Sequence, residues 1–164
     1  MFAVITLITL AAAVGANTVV FSVLEGVLLK PLPYPGGEQL ASVRLSAPGI
    51  HLDDFELSPS DYFIFREQGR TFQDIGLYAG DSESVTGTAE PEQVSGLLVT
   101  DATLPLLGVQ PALGRLFTKQ DDSPGAPDTV ILTYGYWRRK FGADKSVIGR
   151  TLVTDGKGRQ IIGV

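Results

Sequence analysis

Residues 1–30 read MFAVITLITLAAAVGANTVVFSVLEGVLLK, and the organisation of the whole chain turns on them. Met1 to Leu24 has no charged residue, Glu25 is the only charge before Lys30, and the apolar run ends at Leu29. A bilayer core about 30 Å thick is crossed by roughly 20 apolar residues, each rising about 1.5 Å. Residues 1–29 are therefore read as a transmembrane helix with a short extension beyond the membrane. The polar residues inside it are small: Thr6, Thr9, Gly15, Asn17, Thr18 and Ser22. Thr and Ser can bond to carbonyls of their own helix, while Gly15 and Ala16 let another helix approach closely. Asn17 is the only asparagine in the protein, and in hydrocarbon its amide needs a partner. Gly15, Ala16 and Asn17 are thus the helix-packing candidates. Because a carboxylate is costly at the bilayer centre, the membrane exit is expected near Ser22 to Glu25, with Val27, Leu28 and Leu29 continuing the helix. A secretory signal peptide competes with this reading, with residues 2–10 as its apolar stretch and cleavage near Ala11 to Ala13 or Ala16. Two features weaken it: no basic residue precedes the run, and the apolar pattern continues past those sites.

Beyond Leu29 the solvent changes. All 13 basic residues and all but one of the 18 acidic residues lie there, and the net charge of the chain is −5. That acidic balance argues against a nucleic-acid partner, which would need a basic face. With 44% hydrophobic and 19% charged residues the chain can bury a core and is not disordered. The absence of cysteine excludes disulfides, thiolate metal sites and cysteine nucleophiles.

Residues 30–37, with Pro31, Pro33, Pro35 and Gly37, form a Pro-rich connector. Residues 38–164 alternate between short helical and strand patterns, an α+β domain of short helices and mixed or antiparallel strands. Leu40 to Leu45 reads as a strand. Ser58-Pro59-Ser60-Asp61 is a helix start: Ser58 caps, Pro59 suits the first turn, and Asp61 three residues on complements the dipole. Tyr62, Phe63 and Phe65 supply its apolar face and Gly69 its end. Ser82 to Thr88 and Gln93 to Thr100 flank a hairpin turn at 89–92. Asp101 to Leu107 is a short helix ended by Gly108, and Thr129 to Leu132 a buried strand. Tyr134 to Phe141 is a helix in which Trp137 and Phe141 are expected to pack together, with Gly142 past its end. Arg150 to Asp155 and Arg159 to Val164 read as two strands about a turn at Gly156 to Gly158. The last of these, near Ile161 to Val164, is expected to be left unpaired, an aggregation hazard.

A search for chemistry finds little. There is no phosphate loop and no nucleophile elbow. His51 is the only imidazole, which excludes His-x-x-x-His metal motifs. It could act as a general base beside Asp53, Asp54 and Glu56, but no serine is spaced to be its nucleophile. Neither that acidic cluster nor Asp121, Asp122 and Asp128 follows a calcium-loop pattern. Arg138, Arg139 and Lys140 suit a helix C-terminus, with phosphate or lipid head-group binding as the sharper alternative. No catalytic, cofactor-binding or metal-binding residue is assigned.

Several runs together are familiar. Gly15-Ala-Asn-Thr-Val-Val-Phe-Ser-Val-Leu24 and Val27-Leu-Leu-Lys-Pro-Leu-Pro-Tyr-Pro35 resemble the first transmembrane helix and exit of MacB-like ABC transporter permeases, especially their duplicated orphan-permease branch. The resemblance continues through Leu57-Ser-Pro-Ser-Asp-Tyr62, Arg66-Glu-Gln68, Glu90-Pro-Glu-Gln-Val-Ser-Gly96 and Leu107-Gly-Val-Gln-Pro-Ala-Leu-Gly-Arg-Leu-Phe117. Val130-Ile-Leu-Thr-Tyr-Gly-Tyr-Trp-Arg-Arg-Lys-Phe-Gly142 and Val147-Ile-Gly-Arg-Thr-Leu152 complete it in one order. The resemblance implies a permease subunit of the bacterial inner membrane with an α+β periplasmic core domain and no catalytic residues. That domain would pass conformational change from a separate cytoplasmic ATPase to the periplasmic side. The implied partners are other permease helices or subunits, the ATPase and the lipid bilayer. Against the family pattern, no basic segment precedes the first helix, and the chain is expected to be an N-terminal fragment ending inside the core domain. The rivals are a secreted or anchored hydrolase using His51 and its neighbouring carboxylates, and a stand-alone periplasmic binding module.

Overall fold

The computed structural model describes residues 2–26, 34–87 and 90–164. They fall into two compact units, Met1–Gln39 and Leu40–Val164. The first is dominated by helix α1, Phe2–Leu24. The expected continuation through Val27 to Leu29 and the first half of the 30–37 connector, residues 30–33, lie outside the described residues. All described residues of α1 are exposed, the apolar ones included.

The second unit opens with a small antiparallel pair, β1 (Leu45–Ala47) and β2 (Leu52–Phe55). The strand expected over Leu40 to Leu45 is thus displaced. Only Leu45 belongs to it, because the partner residues Leu52 and Phe55 are opposite Ala47 and Leu45. Helix α2 (Pro59–Gln68) starts where the sequence places it. The Ser58 hydroxyl accepts from the Asp61 amide at 3.2 Å, and the Asp61 carboxylate accepts from the Ser58 amide at 3.1 Å. This reciprocal capping box satisfies two donors that the first turn leaves free, and the Ser58 bonds hold the Asp61 carboxyl below its usual pKa. Of the expected apolar face, Tyr62 is buried and Phe65 half-buried, but Phe63 is exposed. A one-residue step along a helix turns about 100°, so neighbours cannot share a face.

The main sheet contains β3 (Tyr78–Thr86), β4 (Glu92–Val99), β5 (Thr129–Ile131), β6 (Thr151–Thr154) and β7 (Lys157–Gly163), in the order β4-β3-β6-β7-β5. Its pairs are antiparallel except β5 with β7, which run parallel. Two short helices lie between strands, α3 (Thr103–Leu106) and α4 (Tyr134–Phe141). The turn between β6 and β7 is Asp155-Gly156, one residue earlier than expected. Both residues have positive φ, 48° and 75°, the two-residue geometry that matches strand twist in a hairpin.

The C-terminal strand is not left unpaired. β7 lies inside the sheet, and past it the Val164 amide donates to the Leu113 carbonyl at 2.9 Å while the Val164 carbonyl accepts from Ala112 at 2.7 Å. The strap through 112–115 thus extends the pairing on one side, and Leu132 bonds to the Gly163 carbonyl at 3.0 Å on the other. Sequence alternation shows which face of a strand is apolar but not how many neighbours its backbone has. The approach is close enough to demand glycine: Gly114 has φ +75°, and a Cβ there would stand 2.2 Å from the Ile162 carbonyl oxygen.

The core gathers Val85, Leu132, Trp137, Val147, Leu152 and Ile161, with Val164 at its end. Trp137 and Phe141 both pack on it, although the ring facing Phe141 is Tyr136 and the ring facing Trp137 is Tyr134. Trp137 also donates its indole N–H to the Asp144 carbonyl at 2.8 Å, so the only tryptophan is anchored at both ends.

Candidate functional site

The residues with chemical potential in the sequence are dispersed into structural tasks. His51 is exposed, sits in the left-handed region at φ 55°, and ends the 3-10 turn Pro48–Ile50. Asp53 accepts from the Ser46 hydroxyl at 2.8 Å, and Asp54 is ion-paired with Arg44. These contacts fasten the β1–β2 hairpin to itself. Asp121 is taken up by Arg115, at 2.6 and 2.8 Å, and by the Thr118 amide and hydroxyl. The guanidinium and the Thr118 bonds hold its carboxyl far below the ordinary carboxylate range. Among the described residues no group of three or more His, Asp or Glu is placed to hold a metal ion.

Ion pairs between elements form a different pattern, one that tightens the domain. At one corner the Arg66 guanidinium of α2 grips Asp101 with two bonds, at 2.6 and 2.9 Å, and bonds to the buried Tyr62 hydroxyl. The Arg66 bonds hold the Asp101 carboxyl below its usual range. Directly behind Asp101, the Thr103 hydroxyl donates to the Leu77 carbonyl at 2.9 Å, and Thr100 accepts from the Leu77 amide at 2.9 Å. A Cβ on Gly76 would meet the Thr103 backbone at 2.8 Å, so α3 rests directly on the approach to β3. Across the sheet, Glu83 of β3 and Arg159 of β7 form a largely buried pair. At the far side Glu92 of β4 receives Lys140 at 2.9 Å, the Tyr136 hydroxyl at 3.1 Å and, more distantly, Arg139. Lys140, first among these, holds the Glu92 carboxyl below its ordinary value. Two of the three cations at the end of α4 are therefore spent on β4, and the third, Arg138, lies over the Tyr134 ring.

The sequence reading missed these braces because their partners are far apart: 35 residues for Arg66–Asp101 and 76 for Glu83–Arg159. One signal was available. Glu83 shares the inward phase of β3 with Val85, and a carboxylate on a buried face needs a cation.

In α1, the hydroxyls of Thr6, Thr9 and Thr18 return to carbonyls of their own helix, at 3.0 Å to Phe2, 3.1 Å to Ile5 and 2.8 Å to Val14. Its 23 residues span about 35 Å, enough for a bilayer core. Gly15, Ala16 and Asn17 are consecutive, so the helix spreads them around its circumference. Gly15 and Asn17 point about 160° apart.

Among the described residues one helix, α1, is long and apolar enough to cross a membrane, and a cross-braced α+β domain follows it. The chain belongs to the family of the MacB-like periplasmic core domain, whose model matches residues 3–164 and so takes in both the helix and the domain. Among solved structures it is similar to the periplasmic region of MacB from Actinobacillus actinomycetemcomitans, with a TM-score of 0.56 and 20% identity. That likeness covers 70% of this chain and 51% of the MacB chain, so the protein spans about half the length of its solved counterpart. No curated protein matches the chain.

Proposed function

We propose that this chain is the membrane-anchored part of an ABC transporter permease in the bacterial inner membrane. Its domain lies on the periplasmic side and couples conformational change across the membrane without catalysing a reaction itself. Its partners are other permease helices or subunits and a separate cytoplasmic ATPase. The observation that carries this reading is the single family match running through the apolar helix and the domain together. The ion-paired braces support the coupling role. A part that transmits displacement needs its elements tied to one another, and Arg66–Asp101, Glu83–Arg159 and Glu92–Lys140 join elements distant in sequence. The dispersal of His51, Asp53 and Asp54 into hairpin contacts gives the hydrolase reading no support.

The chain has no cysteine, so one introduced thiol can report on the domain alone. Leu97 is exposed on β4 and suits an environment-sensitive maleimide as Leu97→Cys. In inverted vesicles of native membrane, where the nucleotide face is outward, magnesium-ATP should change the label's emission. Magnesium-ADP should leave it unchanged. A label indifferent to ATP, in chain that stays in the membrane, would contradict coupling.

A further inference from the structure

We infer that β4 is a strand-accepting edge, and that its occupant is an extended segment of a partner protein carrying a Lys or Arg opposite Gly96. In the main sheet β4 has β3 on one side and no strand on the other among the described residues. The Thr100 amide donates to the Leu77 carbonyl at 3.0 Å, and the Leu77 amide to the Thr100 hydroxyl at 2.9 Å. Ladder bonds of an antiparallel pair recur at every second residue, so Leu98, Gly96 and Val94 also turn their backbone groups to β3. The N–H and C=O groups of Gln93, Ser95, Leu97 and Val99 therefore point outward. Such edges are ordinarily blunted by charge, proline or a bulge. Residues 93–99 contain neither charge nor proline and pair with β3 without a register shift. Leu97 and Leu98 are 65% and 52% exposed on opposite faces, so an added strand would cover apolar surface on both. The open stretch of β3 is a poorer acceptor, because the Ser82 amide is bonded to Asp81 and Ser84 to Asp155.

Asp81 sets the chemistry of the occupant. It lies directly opposite Gly96, on the same face of the sheet as Glu83. From Thr71 to Gly114 the chain has six acidic residues and no basic one, so cations must reach this hairpin from elsewhere. Glu83, Glu92 and Asp101 receive Arg159, Lys140 and Arg66. Asp81 enters no ion pair among the described residues; its carboxylate accepts from the Ser82 amide at 2.8 Å. Gly96 is glycine neither for a positive φ nor for close packing, since an added Cβ would meet nothing within 4 Å. Its missing side chain leaves a gap in β4 beside Asp81. A strand beyond β4 lies about 10 Å from β3. A long cationic side chain opposite Gly96 crosses that gap to the carboxylate. A second copy does not supply it. Antiparallel pairing over the whole of 93–99 would set Gly96 against Gly96 and bring another Asp81, not a cation.

The test titrates the full chain in detergent into two fluorescein-tagged peptides, TVIRTVT and TVIETVT, and reads anisotropy. In antiparallel register the central residue of each falls opposite Gly96. The arginine peptide should bind roughly tenfold tighter than the glutamate peptide. Asp81→Asn should remove that preference. Leu97→Pro deletes an outward N–H and none of the bonds to β3, and should weaken both peptides together. Trp137 emission checks that each variant is folded, and Asp81→Asn decides the matter should Leu97→Pro fail to fold. Equal binding of the two peptides, a preference that survives Asp81→Asn, binding unmoved in folded Leu97→Pro, or no binding up to about 1 mM would each overturn the inference. So would oxidative linking of Gly96→Cys chains to one another, which would seat a second copy on the edge.

Discussion

Asp101 shows how much one carboxylate can hold. It joins the end of β4 to α2 through Arg66, whose guanidinium also reaches the buried Tyr62 hydroxyl. Asp101→Ala leaves that guanidinium without its anion in a half-buried setting. The expected cost is about 2 kcal/mol, reduced from the fully buried case because Arg66 is partly exposed. Urea unfolding of the domain checks it. The sign with pH is fixed by the direction of the shift. The folded carboxyl sits below its unfolded value, so its stabilisation is complete above about pH 4 and fades as pH falls further. The variant should therefore show a shallower acid limb than the parent. Thr154 offers the opposite test. It is 2% exposed, directly opposite Val85 on the core face, and its hydroxyl has no hydrogen-bond partner among the described residues. Thr154→Val removes an unmet polar group with little change in shape and should raise stability by about 1 kcal/mol, seen as a higher melting temperature. A lower melting temperature would mean that the hydroxyl is satisfied in solution.

At the scale of elements, what the sequence disclosed depended on whether the cause was local. Helix α2 was legible because its start is encoded in four successive residues, Ser58 to Asp61, that cap each other. Helix α4 was legible because Trp137 and Phe141 stand four residues apart within it and Gly142, at φ 58°, follows it; its Thr133 cap was not read from the sequence. The neighbours of β7 were not legible. Nothing in Lys157–Gly163 states that β5 will join it in parallel or that 112–115 will meet its end. The braces between elements were hidden for the same reason. Glu92 and Tyr136 stand on β4 and α4, 44 residues apart, and meet only in the folded chain. That contact carries its own prediction. Burial, and then the Glu92 bond, push the Tyr136 phenol up from 10.0 to about 12. A raised pKa means that the group stabilises fully below its unfolded value and loses that contribution as pH rises through the folded one. The domain should therefore lose stability between about pH 10 and 12, and Tyr136→Phe should flatten that loss. Denaturation midpoints across this range, by circular dichroism, would reveal it; identical alkaline limbs would count against the contact.

For the whole molecule, the uneven placement of charge is the feature with the widest reach. Helix α1 has no charged and no buried residue and is long and apolar enough to cross a membrane, whereas the second unit is laced with ion pairs. The family match spans both. The most direct test of the account combines extraction with sidedness. Gln110 is exposed in the domain, and Gln110→Cys would be the only thiol in the chain. The account predicts that this protein stays in the membrane pellet through alkaline carbonate and that a membrane-impermeant maleimide labels it in intact spheroplasts. Release by carbonate, or labelling only after lysis, would contradict it.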